Sequence, residues 1–369
     1  MVGSFIKDKI RHVDPWLFGA TTLLSLISAV VLFGARNSQY GSMRNLIMQV
    51  GMTVLGMIFM IVISNLDLSN LSPLFYIIVL GGSLLFIALL WTPLGESAGE
   101  NRNWMKIPGI GISVQPSEFV RFSFILTFSK HLSLIKDQIN RPKNVLLLML
   151  HAGIIFIPLL LSGDLGMVLV YVGIMAVMLY CAGLSLWYFL GAIIALVAAF
   201  PFLWELLAEY QKKRILVGFN PDIDPLGKGL QQIQSRTAIA GGGFFGRGLD
   251  GAGSYKGMYG CLTDFFFSTY AEMFGLFGCL ILLATLITVV VRLIILARRS
   301  SNPFGALVCA GVAGMVVVQT LENIGMCLCL LPVVGITLPF LSAGGSSVLS
   351  IYLIFGLVHG TVREKRKLL

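Results

Sequence analysis

Asp264 is the residue whose setting points most directly to chemistry. It closes the longest polar, glycine-rich interval of the sequence and stands where an apolar run of about thirty residues begins. A carboxylate at the lip of a membrane helix is costly to desolvate, so a functional role is its default reading. The competing reading is structural, since Asp caps helix N-termini well and Thr263-Asp264 could simply open the next helix. Glu272 falls eight residues on, near two helical turns, and shares roughly the same face. Glu118 and Arg121 lie three apart, which puts them on one helix face as well. They form either an intrahelical salt bridge or a charged contact for a polar substrate. Asp164, in Leu161-Ser162-Gly163-Asp164-Leu165-Gly166, reads first as a helix cap.

The polar interval feeding Asp264 begins with Tyr210-Gln211-Lys212-Lys213-Arg214, then passes through turn chemistry at Pro221, Asp222, Asp224-Pro225 and Gly227. Gln231-Gln232-Ile233-Gln234-Ser235 and Ala238-Ile239-Ala240 predict a short amphipathic helix. Gly241-Gly242-Gly243 and Gly246-Arg247-Gly248 permit close approach of backbone to a ligand. With Arg247 this loop could hold phosphate, but it matches neither a P-loop nor a dinucleotide fingerprint.

The elements that must position these residues are membrane helices. The 369 residues are 57% apolar and 12% charged, with mean hydropathy +0.89. A soluble domain cannot hide that much apolar surface, so the fold class is all-α, a polytopic integral membrane protein forming a single membrane domain over 1–369. Apolar runs long enough to span cover 16–34, 45–64, 74–92, 118–135, 145–162, 164–183, 186–206, 264–296, 305–330 and 346–362. The run at 264–296 exceeds what a bilayer needs and is expected to tilt or project. Pro158 and Pro201 inside apolar runs suggest kinks. Leu331–Ser347, with two prolines and paired glycines in apolar sequence, describes a re-entrant or hairpin segment buried against protein. Gln319, Glu322 and Asn323 are expected to line the protein interior.

Lys and Arg set the orientation. With the N-terminus inside, inner segments hold thirteen and short outer loops hold four, Arg36, Arg44, Arg102 and Lys106. Both termini are therefore expected in the cytoplasm, with 207–263 as a large extracytoplasmic loop between the seventh and eighth helices carrying part of the active site. The net charge of +9 suits anionic lipids at the inner leaflet, and no nucleic-acid signal is present. The six cysteines imply no pairing, and the four histidines show no ligand spacing.

Taken together, Gln115-Pro116-Ser117-Glu118, Asn220-Pro221, Asp224-Pro225-Leu226-Gly227, Gln234-Ser235, Thr263-Asp264-Phe265, Asn323-Ile324-Gly325-Met326 and Leu331–Ser347 resemble the SEDS family. These are the polytopic glycosyltransferases of shape, elongation, division and sporulation. The Asn-Ile-Gly-Met and Leu-Pro-Val-Val-Gly segments look more like the RodA branch than the FtsW branch. The chain departs from the family where Arg121 replaces a usual lysine, where Ser162-Gly163 precedes Asp164, where Met258-Tyr259-Gly260 replaces Leu-Pro-Glu, and where Ala343 follows Ser342.

The resemblance implies polymerisation of lipid II into peptidoglycan strands on the outer face of the cytoplasmic membrane. It implies Asp264 as the essential carboxylate and general base, and Glu118 as the acidic residue of the fourth helix. Arg214, Arg102, Arg121 and Arg247 are available for the leaving diphosphate, with a divalent cation (Mg or Mn) as a candidate cofactor. Gln234, Ser235 and Ser342 match family motif positions and join the substrate-binding set. The implied partners are lipid II, the nascent glycan strand, membrane lipids and a class B penicillin-binding transpeptidase. A lipid II flippase and a non-catalytic scaffold remain the alternatives. A cysteine-accessibility scan is expected to label positions within 212–258 from outside the cell, and positions 136 and 299 only after permeabilisation. Outward labelling of 136–143 would reverse the orientation.

Overall fold

The computed structural model describes residues 13–362 apart from 99–100, 110–111, 207–208 and 250–252. Each predicted apolar run is a helix: α1 (Pro15–Gly34), α2 (Met43–Ser64), α3 (Pro73–Ala88), α4 (Pro116–Ile135), α5 (Pro142–Leu161), α6 (Leu165–Cys181) and α7 (Leu186–Leu206). After the polar interval come α10 (Phe266–Arg299), α11 (Pro303–Cys327) and α12 (Gly345–Thr361). Proline opens α1, α3, α4, α5 and α11, where its missing N–H costs nothing and its fixed φ suits the first turn. Side-chain oxygens of Asp14, Ser42 and Asn302 accept from the first turns of α1, α2 and α11. Among the described residues six helices, α1, α2, α3, α5, α10 and α11, are each long and apolar enough to cross a membrane. α6, α7 and α12 are shorter apolar helices, and α4 carries Glu118, Arg121 and Lys130 along its length.

Close helix approach is bought by small residues at the seams, as in other membrane bundles. A Cβ on Gly56 of α2 would lie 2.9 Å from Tyr352 of α12, and one on Gly356 would lie 2.9 Å from Ile63. α7 behaves differently: residues 190–198 are all exposed at the bundle's periphery, so this helix offers most of its surface to lipid. His131 and His151, distant in sequence, stack between α4 and α5 with their Nδ1 atoms 3.1 Å apart. The basic residues Lys7, Lys9 and Arg11, and Arg363, Lys365, Arg366 and Lys367, lie outside the described residues, as does Glu100.

Three features correct the sequence reading. The 93–117 segment contains an antiparallel sheet of β1 (Gly95–Ala98), β2 (Asn101–Ile107) and β3 (Ile112–Val114), so the protein is helical with one small sheet. Antiparallel pairing satisfies the backbone polar groups of this half-buried, non-helical segment. Arg102 N also donates to Ser162 O at 2.9 Å, tying the sheet to the α5–α6 turn. Secondly, 207–263 holds two helices, α8 (Glu209–Phe219) and the expected α9 (Leu230–Gly242).

Thirdly, α10 is not one continuous helix: it is broken at Gly275, whose φ of 66° and ψ of −167° are non-helical. The break is filled by the glycine-rich loop after α9. Leu276 N and Phe277 N donate to Gly243 O and Phe244 O, while Glu272 O and Met273 O accept from Arg247 N and Gly248 N, all at 2.9–3.0 Å. Backbone groups freed by the break are thereby satisfied inside the protein, as a membrane environment requires. A Cβ at Gly275 would meet Gly246 N at 2.3 Å and Phe244 O at 2.5 Å, in a left-handed conformation that side chains disfavour. Gly275→Ala is therefore expected to lower the melting temperature of the detergent-solubilised protein, by at least ~1–3 kcal/mol of stability. An unchanged melting temperature would mean that the loop does not hold the break.

Candidate active site

Asp264 sits in the turn over 259–265 that leads into α10. The turn reverses at Gly260 (φ +76°), whose carbonyl accepts from Thr263 N at 3.0 Å and Phe265 N at 2.9 Å. The residues around the acid are each tied down. Leu262 O accepts from Ala343 N at 2.7 Å, and Thr263 O accepts from the Ser342 hydroxyl at 2.6 Å. Asp264 O accepts from Asn323 Nδ2 of α11 at 2.7 Å, and the same nitrogen donates to Ile336 O at 2.7 Å. The main chain on either side of the acid is therefore locked to α11 and to the segment 331–344.

That segment has no regular structure, as the two prolines and glycines foretold, and side chains from around the bundle satisfy its carbonyls. Gln232 donates to Leu331 O at 3.2 Å, Arg214 Nε to Val333 O at 3.0 Å, and Ser28 to Leu341 O at 2.5 Å. Gly335 (φ +77°) passes beside the acid, where a Cβ would lie 3.7 Å from Asp264 Oδ2. One residue earlier, Val334 O packs on Gly166, close to Asp164.

The Asp264 carboxylate is half-buried, and among the described residues it makes no hydrogen bond or ion pair. Burial pushes its pKa up to about 6, against the pull of the Arg214 guanidinium, which favours the charged form. A carboxylate in that range is ionised at neutral pH and still basic enough to take a proton. Its backbone is fixed while both of its oxygens remain free for a ligand.

A second polar cluster lies on α4, α12 and the α5–α6 turn. Arg121 Nη2 pairs with Glu118 Oε2, and Ser350 Oγ sits 3.3 Å from Arg121 Nη2 and 3.2 Å from Glu118 Oε2. The pair is the predicted intrahelical one, but Arg121 and Glu118 are 0% and 3% exposed, which is no surface salt bridge. Asp164 stands at the start of α6, where its Oδ2 accepts from Gln115 at 2.9 Å and Ser117 at 2.6 Å.

Of the residues singled out from sequence, Asp264, Arg214 and Ser342 meet around the 331–344 segment. Glu118 and Arg121 meet each other beside Asp164. Ser342 accepts from Leu338 N at 2.8 Å as well as donating to Thr263, so it acts here as a staple. Ser235 is buried and joins α9 to Ser268 of α10 at 2.5 Å and to Cys327 O of α11 at 2.7 Å. Gln234 is half-buried on α9. Arg102 donates to Thr92 O at 2.9 Å within the sheet region, and Arg247 donates to Gly241 O at 2.8 Å on the glycine loop. Glu272 accepts from Ser254 N and Tyr255 N at 2.8 and 2.9 Å, holding the chain that enters the Asp264 turn. Asn323 was legible as an interior polar residue and a motif position, and Gln232 only as part of an amphipathic helix, because nothing in their spacing names the carbonyls they bind. Among the described residues no group of three His, Cys, Asp or Glu could hold a metal ion. These residues alone do not build a cation site, and no step below passes through one.

With this geometry in place, the relatives are informative. A family model described as cell cycle protein, covering FtsW, RodA and SpoVE, matches residues 14–367. The chain is 33% identical to peptidoglycan glycosyltransferase MrdB of Escherichia coli K12, over 98% of this chain and 96% of that protein. It is similar to a chain in a solved peptidoglycan synthase complex that coordinates polymerization and crosslinking (TM-score 0.79, 28% identity, 94% of this chain and 98% of that one). The Thermus thermophilus rod shape determining protein RodA gives a TM-score of 0.71 at 25% identity, covering 95% of this chain and 97% of that one.

Breaking a buried pair strands a charge, at ~3–5 kcal/mol. Glu118→Leu should therefore lower the melting temperature markedly, and Glu118→Leu with Arg121→Met should recover much of the loss. A double variant as unstable as the single one would show that the pair is not the source of the effect.

Proposed function

This chain belongs to the FtsW/RodA/SpoVE family of cell cycle proteins, and from that premise we propose that Asp264 is the general base of its reaction. The protein is a membrane-embedded peptidoglycan glycosyltransferase that polymerises lipid II. The acceptor sugar's 4-hydroxyl attacks the anomeric carbon of the donor, a C–O bond forms, and the bond to the lipid diphosphate breaks. The diphosphate leaves with the electron pair, and the hydroxyl proton passes to Asp264. A donor α-linked to diphosphate giving a β-linked strand requires one displacement with inversion, and a single base suffices.

The observation that carries this assignment is the contrast at Asp264 between fixed backbone and free carboxylate. A helix cap would spend its oxygens on the first turn of α10, yet no such bond is made. Arg214 supplies positive charge on the same side, suited to the departing diphosphate. Glu118, Arg121 and Asp164 are proposed as a polar wall behind the substrate, linked to the base through the 331–344 segment. The charge distribution supports an extracytoplasmic site with both termini in the cytoplasm. Likeness to a chain of the synthase complex supports a class B penicillin-binding transpeptidase as partner.

Purified protein in detergent tests the reading, because flipping has no meaning there. Wild type should polymerise lipid II, which neither a flippase nor a scaffold would do. Asp264→Asn keeps the side-chain size and should cut the rate by about 10²–10⁴-fold with little change in melting temperature. The base must be ionised, so wild-type activity should fall as pH drops through about 6. Wild-type rates in Asp264→Asn would assign the chemistry elsewhere.

A further inference from the structure

The other side of the Asp264 turn carries a second feature. A cavity of about 330 Å³ opens there between the α1–α2 loop, the N-terminal end of α2 and the turn itself. That volume is at the lower end of the range for small-molecule sites. Tyr40 and Tyr259 stand in its wall, 38% and 65% exposed, with rings edge-to-face at 5.5 Å. Neither phenol hydroxyl has a hydrogen bond among the described residues, and nor does Asn45 Oδ1, which also belongs to the lining. Thr263, the residue before Asp264, contributes to the floor. Among the described residues, no Lys, Arg, Asp or Glu lines the cavity.

This lining has the chemistry of neutral carbohydrate recognition. Aromatic faces stack on the C–H faces of a sugar ring, while free phenols and an amide oxygen meet hydroxyl and acetamido groups. Absence of charge from the lining disfavours a phosphate, whose counter-charge, Arg214, is associated with the Asp264 carboxylate instead. We propose that this cavity is a saccharide subsite, holding an N-acetylated sugar ring of the glycan next to the ring that reacts at Asp264. The placement rests on the polymerase reading. The subsite would keep a growing strand engaged between additions, so it governs strand length as well as affinity.

Chitotetraose, a soluble β-1,4-linked N-acetylglucosamine oligomer, is a direct probe. Binding to the full-length detergent-solubilised protein is read by saturation-transfer NMR and titration. Wild type should bind saturably, Tyr259→Ala should weaken binding roughly tenfold, and Tyr259→Trp should retain it, showing that an altered exposed side chain does not itself disrupt the fold. Tyr40→Ala should act in the same direction, and both alanine variants should make shorter strands from lipid II. Absence of saturable binding to wild type, or equal binding to wild type and both alanine variants, would overturn the subsite. Polymerisation by wild type is scored separately: if it fails while tyrosine-dependent binding persists, the subsite stands and the polymerase reading falls.

Discussion

Two hydrogen bonds from one nitrogen hold the site together. Asn323 Nδ2 donates to Asp264 O and to Ile336 O, both at 2.7 Å, and so joins the end of the polar interval to the irregular segment after α11. Non-helical backbone beside lipid is tolerated only where protein satisfies its polar groups, and Asp264 precedes its helix while 331–344 lies between two helices. Each supplies what the other lacks. Ser342 repeats the arrangement one residue away by bonding Thr263 O and Leu338 N.

The same constraint explains the rest of the architecture around the polar interval. The break at Gly275 would leave carbonyls and amides unsatisfied in the N-terminal part of α10, and the 243–248 loop supplies partners for both. Ser235 and Gln232 then anchor α9 to α10, α11 and the 331 segment. The polar interval is thus a set of plugs for interrupted helices, and the glycines are there to let backbone meet backbone. This packing leaves the Asp264 carboxylate free of partners while fixing the chain that carries it. Such a split between a held main chain and an open side chain is what preorganised catalysis requires.

Much of this was visible in sequence, in a particular way. Hydropathy located the ten apolar helices because the bilayer imposes length and composition, while Glu209–Phe219 in the polar interval escaped it. Asp264 and the Glu118–Arg121 pair stood out because charge is rare in such sequence, and the proline-glycine segment at 331–347 announced itself by composition. What stayed hidden was pairing at long range. A single glycine at 275 inside an apolar run carries no sign of a break, since its partner loop lies about thirty residues upstream. Ser235 and Ser342 read as ligand-facing hydroxyls, yet their bonds go to backbone and, for Ser235, also to the Ser268 hydroxyl. The small sheet at 95–114 was hidden because its strands are too short for alternation to show, and the stacked His131–His151 pair because twenty residues separate its members.

The central claim is that the Asp264 carboxylate acts as a base in the field of Arg214. The direct measurement is the pH dependence of lipid II polymerisation in wild type and in Arg214→Gln. Removing the guanidinium withdraws the charge that favours ionised Asp264, so the acid limb of the profile should move to higher pH while keeping its single-proton shape. An acid limb that stays where it is when Arg214 is neutralised, with activity otherwise intact, would contradict the account.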